Sequence, residues 1–363
     1  DSDYPDIAVC ADGTVYVVWE EDRGQQGHQI WYRVFHPAEG WSQASPILPG
    51  LNASGETPAI AVSADCTAHL VWSKFWFGYN DIVYTFNEGG SFQLPGNVSN
   101  TPQGSFQPDI AIDSTGVPHV VWVAMVSGEG PSVYVGYPEP EVPGKWHKDF
   151  LEGSYGQAQA PALAVDRSDQ LHIAWMRQEG FRLDIMYKRP EDWQSVIVEN
   201  ISDSSNPSRL PDIAIGGNKV IVAWQETIEG DDEVLVTSRR LENGAGFTPT
   251  TNLSGTYASS RAPALAADST GRFFVAWDED DPTNAILTRS WGGAGQWDIT
   301  SNISNIGISV KHPAVTASSQ GSHVYAVWAQ KDGPEDTWDI YFSETEVTIY
   351  RSYLTLLAKM YEP

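Results

Sequence analysis

The sequence predicts an all-β chain folded as a seven-bladed β-propeller of four-stranded antiparallel blades. The main observation is a stretch, Pro5 to Trp19, that recurs seven times. The copies open at Pro5, Pro58, Pro108, Pro161, Pro211, Pro263 and Pro313 and close at Trp19, Trp72, Trp122, Trp175, Trp224, Trp277 and Trp328. Successive prolines are 53, 50, 53, 50, 52 and 50 residues apart, a period that fits one blade per copy. Each copy also alternates short apolar runs with turn-forming clusters, the pattern of hairpins.

The elements of one repeat follow in order. Pro opens the first strand, where no ladder N–H is required. An aliphatic residue comes next (Ile7, Ile60, Ile110, Leu163, Ile213, Leu265, Val315), then Ala in six copies and Thr316 in the seventh. A small side chain suits the innermost strand, where blades converge. Clusters such as Asp12-Gly13, Asp113 to Gly116 and Asp268 to Gly271 supply the hairpin turn. The second strand is β-branched or aromatic on both faces, as a strand covered on both sides must be. A third carries Ile30-Trp31-Tyr32, Ile82-Val83-Tyr84, Asp184 to Tyr187 or Asp339 to Tyr341, and a fourth starts near Trp41, Phe92, Trp146, Trp193, Phe247 or Trp297. The propeller is expected over residues 1–343, and residues 344–363 form a tail that supplies the last strand or an assembly contact.

Composition narrows the function. With 21 basic and 47 acidic residues the formal net charge is −26, the wrong sign for a nucleic-acid partner. No apolar run approaches the roughly 20 residues of a membrane span. The chain starts at Asp1 with no signal peptide, which reads as a processed form or a fragment of something longer. Cys10 and Cys66 fall in matching turns of adjacent repeats, so a bridge is geometrically open to them and would place the protein in an oxidising, extracellular or cell-surface setting; two separate small turn residues is the alternative. Asn97-Val-Ser, Asn200-Ile-Ser, Asn252-Leu-Ser and Asn302-Ile-Ser recur before the next Pro, with Asn52-Ala-Ser a looser match. All five have the form of glycosylation acceptors. Their fixed phase also fits Asn and Ser side chains bonding the local backbone where the fourth strand ends.

The run Asn-Ile-Ser, then Pro-x-Ile-Ala-x-Asp-x-x-Gly-x-x-x-x-x-Trp, then Ile-x-Tyr and a Gly-Trp hairpin resembles the exported bacterial sialidase-like propellers with Asp-box (BNR) repeats. The Asp-box itself is degenerate: Gly40-Trp41, Gly144-Lys145-Trp146 and Gly295-Gln296-Trp297 keep only its end. The resemblance covers residues 4 to about 343 and implies the fold more than an activity. In that family an arginine triad grips the substrate carboxylate, the first Arg lying two residues before a Pro. Arg209 and Arg261 match that spacing, and Lys311 continues it, which places three cations on one rim. The family's Tyr–Glu pair and acid Asp are not assignable, although Tyr257, Glu226 and Glu229 lie nearby in sequence. No catalytic residue is therefore expected, and the cations offset an acidic rim.

The loops after each Trp should share that rim. Glu20-Glu21-Asp22, Asp231-Asp232-Glu233, Asp278 to Asp281 and Glu335-Asp336 are acidic. Hard oxygens of this kind can hold Ca²⁺, but no EF-hand spacing occurs and solvated loops are the plainer reading; no other cofactor is expected. Blade 2 instead carries Lys74-Phe75-Trp76-Phe77-Gly78-Tyr79. Exposed aromatics stack on sugar rings or fill protein interfaces, which makes Trp76 and Tyr79 ligand-binding candidates. His69, His119 and His172 share one repeat position, about 10 Å apart in neighbouring blades, too far for one metal. The expected function is a non-catalytic extracellular propeller that binds carbohydrate or a surface protein, or forms a structural homo-polymer through its tail. A glycan-binding lectin and a sialidase-like hydrolase using Arg209 and Arg261 are the alternatives. The Tyr353-Leu-x-Leu-Leu ending resembles short C-terminal tails of exported propellers.

Overall fold

The computed structural model describes residues 1–48, 54–76, 78–88, 90–151, 157–189, 198–242, 245–256, 258–280, 285–291, 297–304, 309–319, 321–332 and 337–346. Seven antiparallel sheets follow one another along the chain, the first six each ordered first strand, second, third, then outer strand. Their first strands (Ser2–Val9, Glu56–Val62, Ser105–Ile112, Ala158–Val165, Ser208–Gly216, Ser260–Ala267 and Val310–Ala317) touch in sequence, and the last touches the first, so the ring closes. In blade 7 the described residues give three strands, Val310–Ala317, His323–Asp332 and Thr337–Glu346; the segment expected to supply its outer strand lies outside them. The outer strands elsewhere are short. Trp41 and Phe92 pair with the end of the third strand as expected, but the ladder then resumes at a second dyad, Ser45–Pro46 or Gly96–Asn97. In blades 4, 5 and 6 the dyads Glu199–Asn200, Thr251–Asn252 and Ser301–Asn302 form the outer strand, so in blade 5 it begins beyond Phe247. Trp193, the expected start in blade 4, lies outside the described residues.

The sequons therefore build the outer strand. The hydroxyls of Ser99, Ser202, Ser254 and Ser304 accept the third-strand N–H groups of Ile82, Ile185, Val234 and Ile286 at 2.9–3.0 Å. The Oδ1 atoms of Asn97, Asn200 and Asn252 accept the N–H three residues on, at 2.8–2.9 Å. Asn97 Nδ2 also donates to Asp81, whereas the Asn252 and Asn302 side chains are exposed. Asn52 lies outside the described residues.

Seven hydrophobic clusters fill the seven blade interfaces, each containing the second-strand Trp of the following blade. All seven Trp rings are buried. The repeat histidines belong to this packing: His69 and His172 hydrogen-bond Tyr84 and Tyr187 through Nδ1 at 2.7 and 2.6 Å, and His119 contacts Asp113. Burial pushes His69 and His172 down to about 4.

Two features of the first strands go beyond the repeat pattern. Each strand bulges one residue before its Pro, where Tyr4, Thr57, Gln107, Ala160, Leu210, Ala262 and His312 all take a left-handed φ between 46° and 53°. Non-glycine residues in that region are strained, and a bulge re-aims the neighbouring side chains. Blades also come in pairs. Asp6, Asp109 and Asp212 follow the Pro of blades 1, 3 and 5, while Ala59, Ala162, Ala264 and Ala314 stand there in the others. Each Asp Oδ1 accepts the next N–H of its own strand, and each Oδ2 accepts the N–H of Ile60, Leu163 or Leu265 in the following blade at 2.6–2.7 Å. Burial raises these carboxyls to about 6, 8 and 7 against the pull of those bonds, and Asp109 feels both other aspartates across the ring.

Cys10 and Cys66 are bonded across blades 1 and 2, with Cα atoms 5.3 Å apart and a sequence separation of 56. Cross-linking a loop of that length stabilises a fold by about 2–4 kcal/mol, chiefly through the unfolded chain. The Cys10→Ser/Cys66→Ser pair is expected to lower unfolding free energy by that amount in urea titrations. An unchanged midpoint would show that the bridge adds no stability.

Candidate functional site

The bulged ends of the first strands pair with the second strands just beyond the Trp: Arg209 with Gln225, Arg261 with Asp278, Lys311 with Ala329. One rim therefore gathers the candidate residues, and it divides into two halves of different chemistry.

Over blades 5, 6, 7 and 1 the cations are engaged. Arg261 lies between Asp232 (Nε to Oδ2, 3.1 Å) and Asp280 (Nη1 to Oδ2, 2.6 Å). Asp232 also accepts from the Thr227 hydroxyl at 2.7 Å, and that hydroxyl accepts from Arg209 Nη1 at 3.0 Å. Burial alone would raise Asp232, but the bonds from Thr227, Arg261 and Gln225 hold it below the ordinary carboxylate range. Lys311 Nζ stands 2.5 Å from Asp3, His312 Nδ1 2.7 Å from the same carboxylate, and the His312 ring stacks on Tyr4 at 4.3 Å. Burial opposes ionisation of Asp3, yet His312 and Lys311 bring it down to about 2. These contacts join blade 7 to the start of the chain. Asp278, facing His312 and Arg261, is raised by burial to about 7. Glu226 is buried and spoken for, accepting from Trp224 Nε1 and Ser208 Oγ at 3.0 Å each. Equivalent Trp–Glu–Ser contacts recur in blades 1 and 6 through Glu21 and Glu279, which marks this as a feature of the repeat. Tyr257, Asp281, Glu335 and Asp336 lie outside the described residues.

Over blades 2, 3 and 4 the rim opens into a depression of about 370 Å³. Its apolar wall is Phe106, Val123 and Met125, and its polar groups are Glu56, Thr57, Ser73, Gln107 and Gln159. Gly104 shapes the wall: a Cβ there would stand 3.0 Å from the Phe106 ring, and its φ of +99° excludes most other residues. Gln107 Oε1 accepts the Ala160 N–H at 3.0 Å, bridging blades 3 and 4. Among the described residues the side chains of Glu56 and Gln159 make no hydrogen bond or ion pair. Beside the depression, Phe75 projects from the same strand face as Ser73, two residues further on. Phe75 is 62% exposed and Tyr79 50%. Trp76 lies opposite Tyr79 across the hairpin. The sequence offered the blade 2 aromatics through their unusual density, whereas Phe106, Met125 and Gln159 sit in ordinary repeat positions. Only the ring of blades brings them together.

Among the described residues the one compact group of metal-ligand types is Cys10, Asp12 and Cys66, and the bridge consumes both thiols. No helix is long and apolar enough to cross a membrane.

The chain is thus a seven-bladed β-propeller with a strained, asymmetric rim. No protein-family model and no curated protein sequence matches it. Solved structures of similar fold include the BP39L lectin from Burkholderia pseudomallei, at 13% identity over 95% of this chain and 97% of that one with a TM-score of 0.65. Polysaccharide lyase Uly1 is 13% identical over 94% and 89%, with a TM-score of 0.59. A protein of unknown function from Dyadobacter fermentans is 9% identical over 96% and 95%, with a TM-score of 0.56. At such identities the likeness concerns the fold alone.

Proposed function

We propose that the protein is a non-catalytic, extracellular binding propeller that takes an uncharged glycan on the rim over blades 2, 3 and 4. One observation carries this: that half of the rim combines an apolar, aromatic wall with uncommitted carboxylate and amide groups, while the cations of the other half are already engaged. A sugar ring needs an apolar face to stack on and a few convergent polar groups to fix its hydroxyls. The Cys10–Cys66 bond supports an oxidising compartment. The lectin and the polysaccharide lyase of the same fold make such a ligand reasonable by analogy.

The test is a panel of neutral oligosaccharides on a glycan array, followed by calorimetry on any hit. Phe106→Ala and Gln159→Ala are expected to weaken binding at least about tenfold, since each loss of about 1.4 kcal/mol is tenfold in affinity; Arg261→Ala leaves it unchanged. Absence of binding to every neutral glycan, or binding indifferent to Phe106, would end this reading. The sialidase-like reading rests on Arg209, whose described partner is a neutral hydroxyl. It requires release of a fluorogenic sialoside's reporter that is lost in Arg209→Ala.

A further inference from the structure

Six of the seven blade interfaces are sealed by an aliphatic side chain that directly follows the outer strand of the preceding blade. These are Ile47, Val98, Leu151, Ile201, Leu253 and Ile303, each packed in the cluster that holds the next blade's Trp. The interface from blade 7 to blade 1 has no such residue among the described ones. In its place is a cleft of about 510 Å³ lined by Val17, Trp19, Trp31, Val327, Ile340 and Phe342. Trp19, the ring that an aliphatic plug should cover, is 8% exposed, whereas the other six are at 3% or less.

The repeat fixes where the missing plug lies in sequence. In each blade one third-strand residue faces the Trp, and the plug follows it by 15 residues at the shortest (Val83 to Val98) and 18 at the longest (Leu235 to Leu253). In blade 7 the residue facing Trp328 is Tyr341. The same interval lands on positions 356–359, and these begin with Leu356 and Leu357.

We infer that Leu356 and Leu357 of the chain's own tail fill the cleft between blades 7 and 1, while the residues just before them add to the edge of Thr337–Glu346 as the outer strand of blade 7. The segment is tethered at the right distance, so its effective concentration at the cleft far exceeds that of a second copy's tail. Burying two leucines against Trp19 and Phe342 removes apolar surface from water on both sides. The ring is then closed twice: by Asp1 and Asp3 at the rim, where Asp1 accepts the Trp338 backbone N–H and Asp3 holds Lys311 and His312, and by the tail at the outer edge.

The full-length chain tests this. Hydrogen exchange followed by mass spectrometry is expected to show protected amides around residues 354–358. The Leu356→Asp/Leu357→Asp pair is expected to abolish that protection and lower the melting temperature by several degrees, with Glu362→Lys as an unaffected control. Light scattering is expected to report monomers throughout. Freely exchanging amides in the unaltered chain would overturn the inference even if the pair variant failed to fold. So would an unchanged melting temperature. An assembly of the unaltered chain that the pair variant reduces to monomer would show the cleft filled by a neighbouring copy's tail, which also overturns it.

Discussion

Trp224→Ala is expected to lower the unfolding free energy by about 3–5 kcal/mol, the range for truncating a large buried aromatic side chain. The ring sits in the interface between blades 4 and 5 with Ile213, Val222 and Leu235, and its Nε1 donates to buried Glu226. Truncation opens a cavity and removes a partner from a buried carboxylate. Comparison with Trp122 separates the two effects, because the Trp122 indole N–H has no partner among the described residues. Trp224→Phe should therefore cost more than Trp122→Phe, although both keep a ring in the interface. Urea midpoints at unchanged slope measure the difference. Equal costs would mean that the Trp224–Glu226 bond adds nothing to stability.

The second large effect is pH dependence. Asp109, Asp212 and Asp278 are raised by burial to about 8, 7 and 7, and Asp6 to about 6. A carboxyl whose pKa is higher in the folded state keeps its proton there after the unfolded chain has lost it. Its contribution to stability is thus complete below the unfolded value near 4 and is lost as pH rises through the folded value. His69 and His172, lowered to about 4, act the other way, but only below their unfolded value of about 6.5. Between pH 6.5 and 8.5 only the carboxyl effect remains among these groups. Each tenfold difference in proton affinity between folded and unfolded chain is worth about 1.4 kcal/mol. The stability that these protons supply is therefore partly lost across this window. The melting temperature is expected to fall steadily from pH 6.5 to 8.5, helped by growing repulsion within a chain of net charge −26. A flat or rising profile would mean that solvent reaching these carboxyls relieves their burial. Asp109→Ala should flatten the slope, even as it loses the bond to Leu163.

The Asp ring shows where legibility stopped. Pro-Asp in blades 1, 3 and 5 against Pro-Ala elsewhere, and the alternation of intervals of 53, 53 and 52 with intervals of 50, were both present in the chain. A linear reading treats that Asp as a variable strand position, because the N–H it accepts belongs to another blade about fifty residues away. The sequons were more accessible. Their fixed phase pointed to a backbone role, and the Ser hydroxyls bond the third strand. The rim cations were legible as a set, since their spacing before each Pro repeats. Their pairing was not, because Asp232, Asp280 and Asp3 reach them from other strands and, for Asp3, from the opposite end of the chain.

By itself the sequence determined the number of blades, their antiparallel pairing and the burial of the seven Trp rings. Each of these follows from local patterning: a Pro that starts a strand, a turn of Asp and Gly, and an apolar run covered on both faces. Only the tertiary structure decided which rim groups remain open to a ligand. Whether a charge is free depends on what ring closure places beside it within about 4 Å. Arg261 is neutralised by Asp280 of its own blade together with Asp232 of the preceding one, and Lys311 by Asp3, which ring closure delivers, while Glu56, Phe106 and Gln159, from three different blades, share one depression.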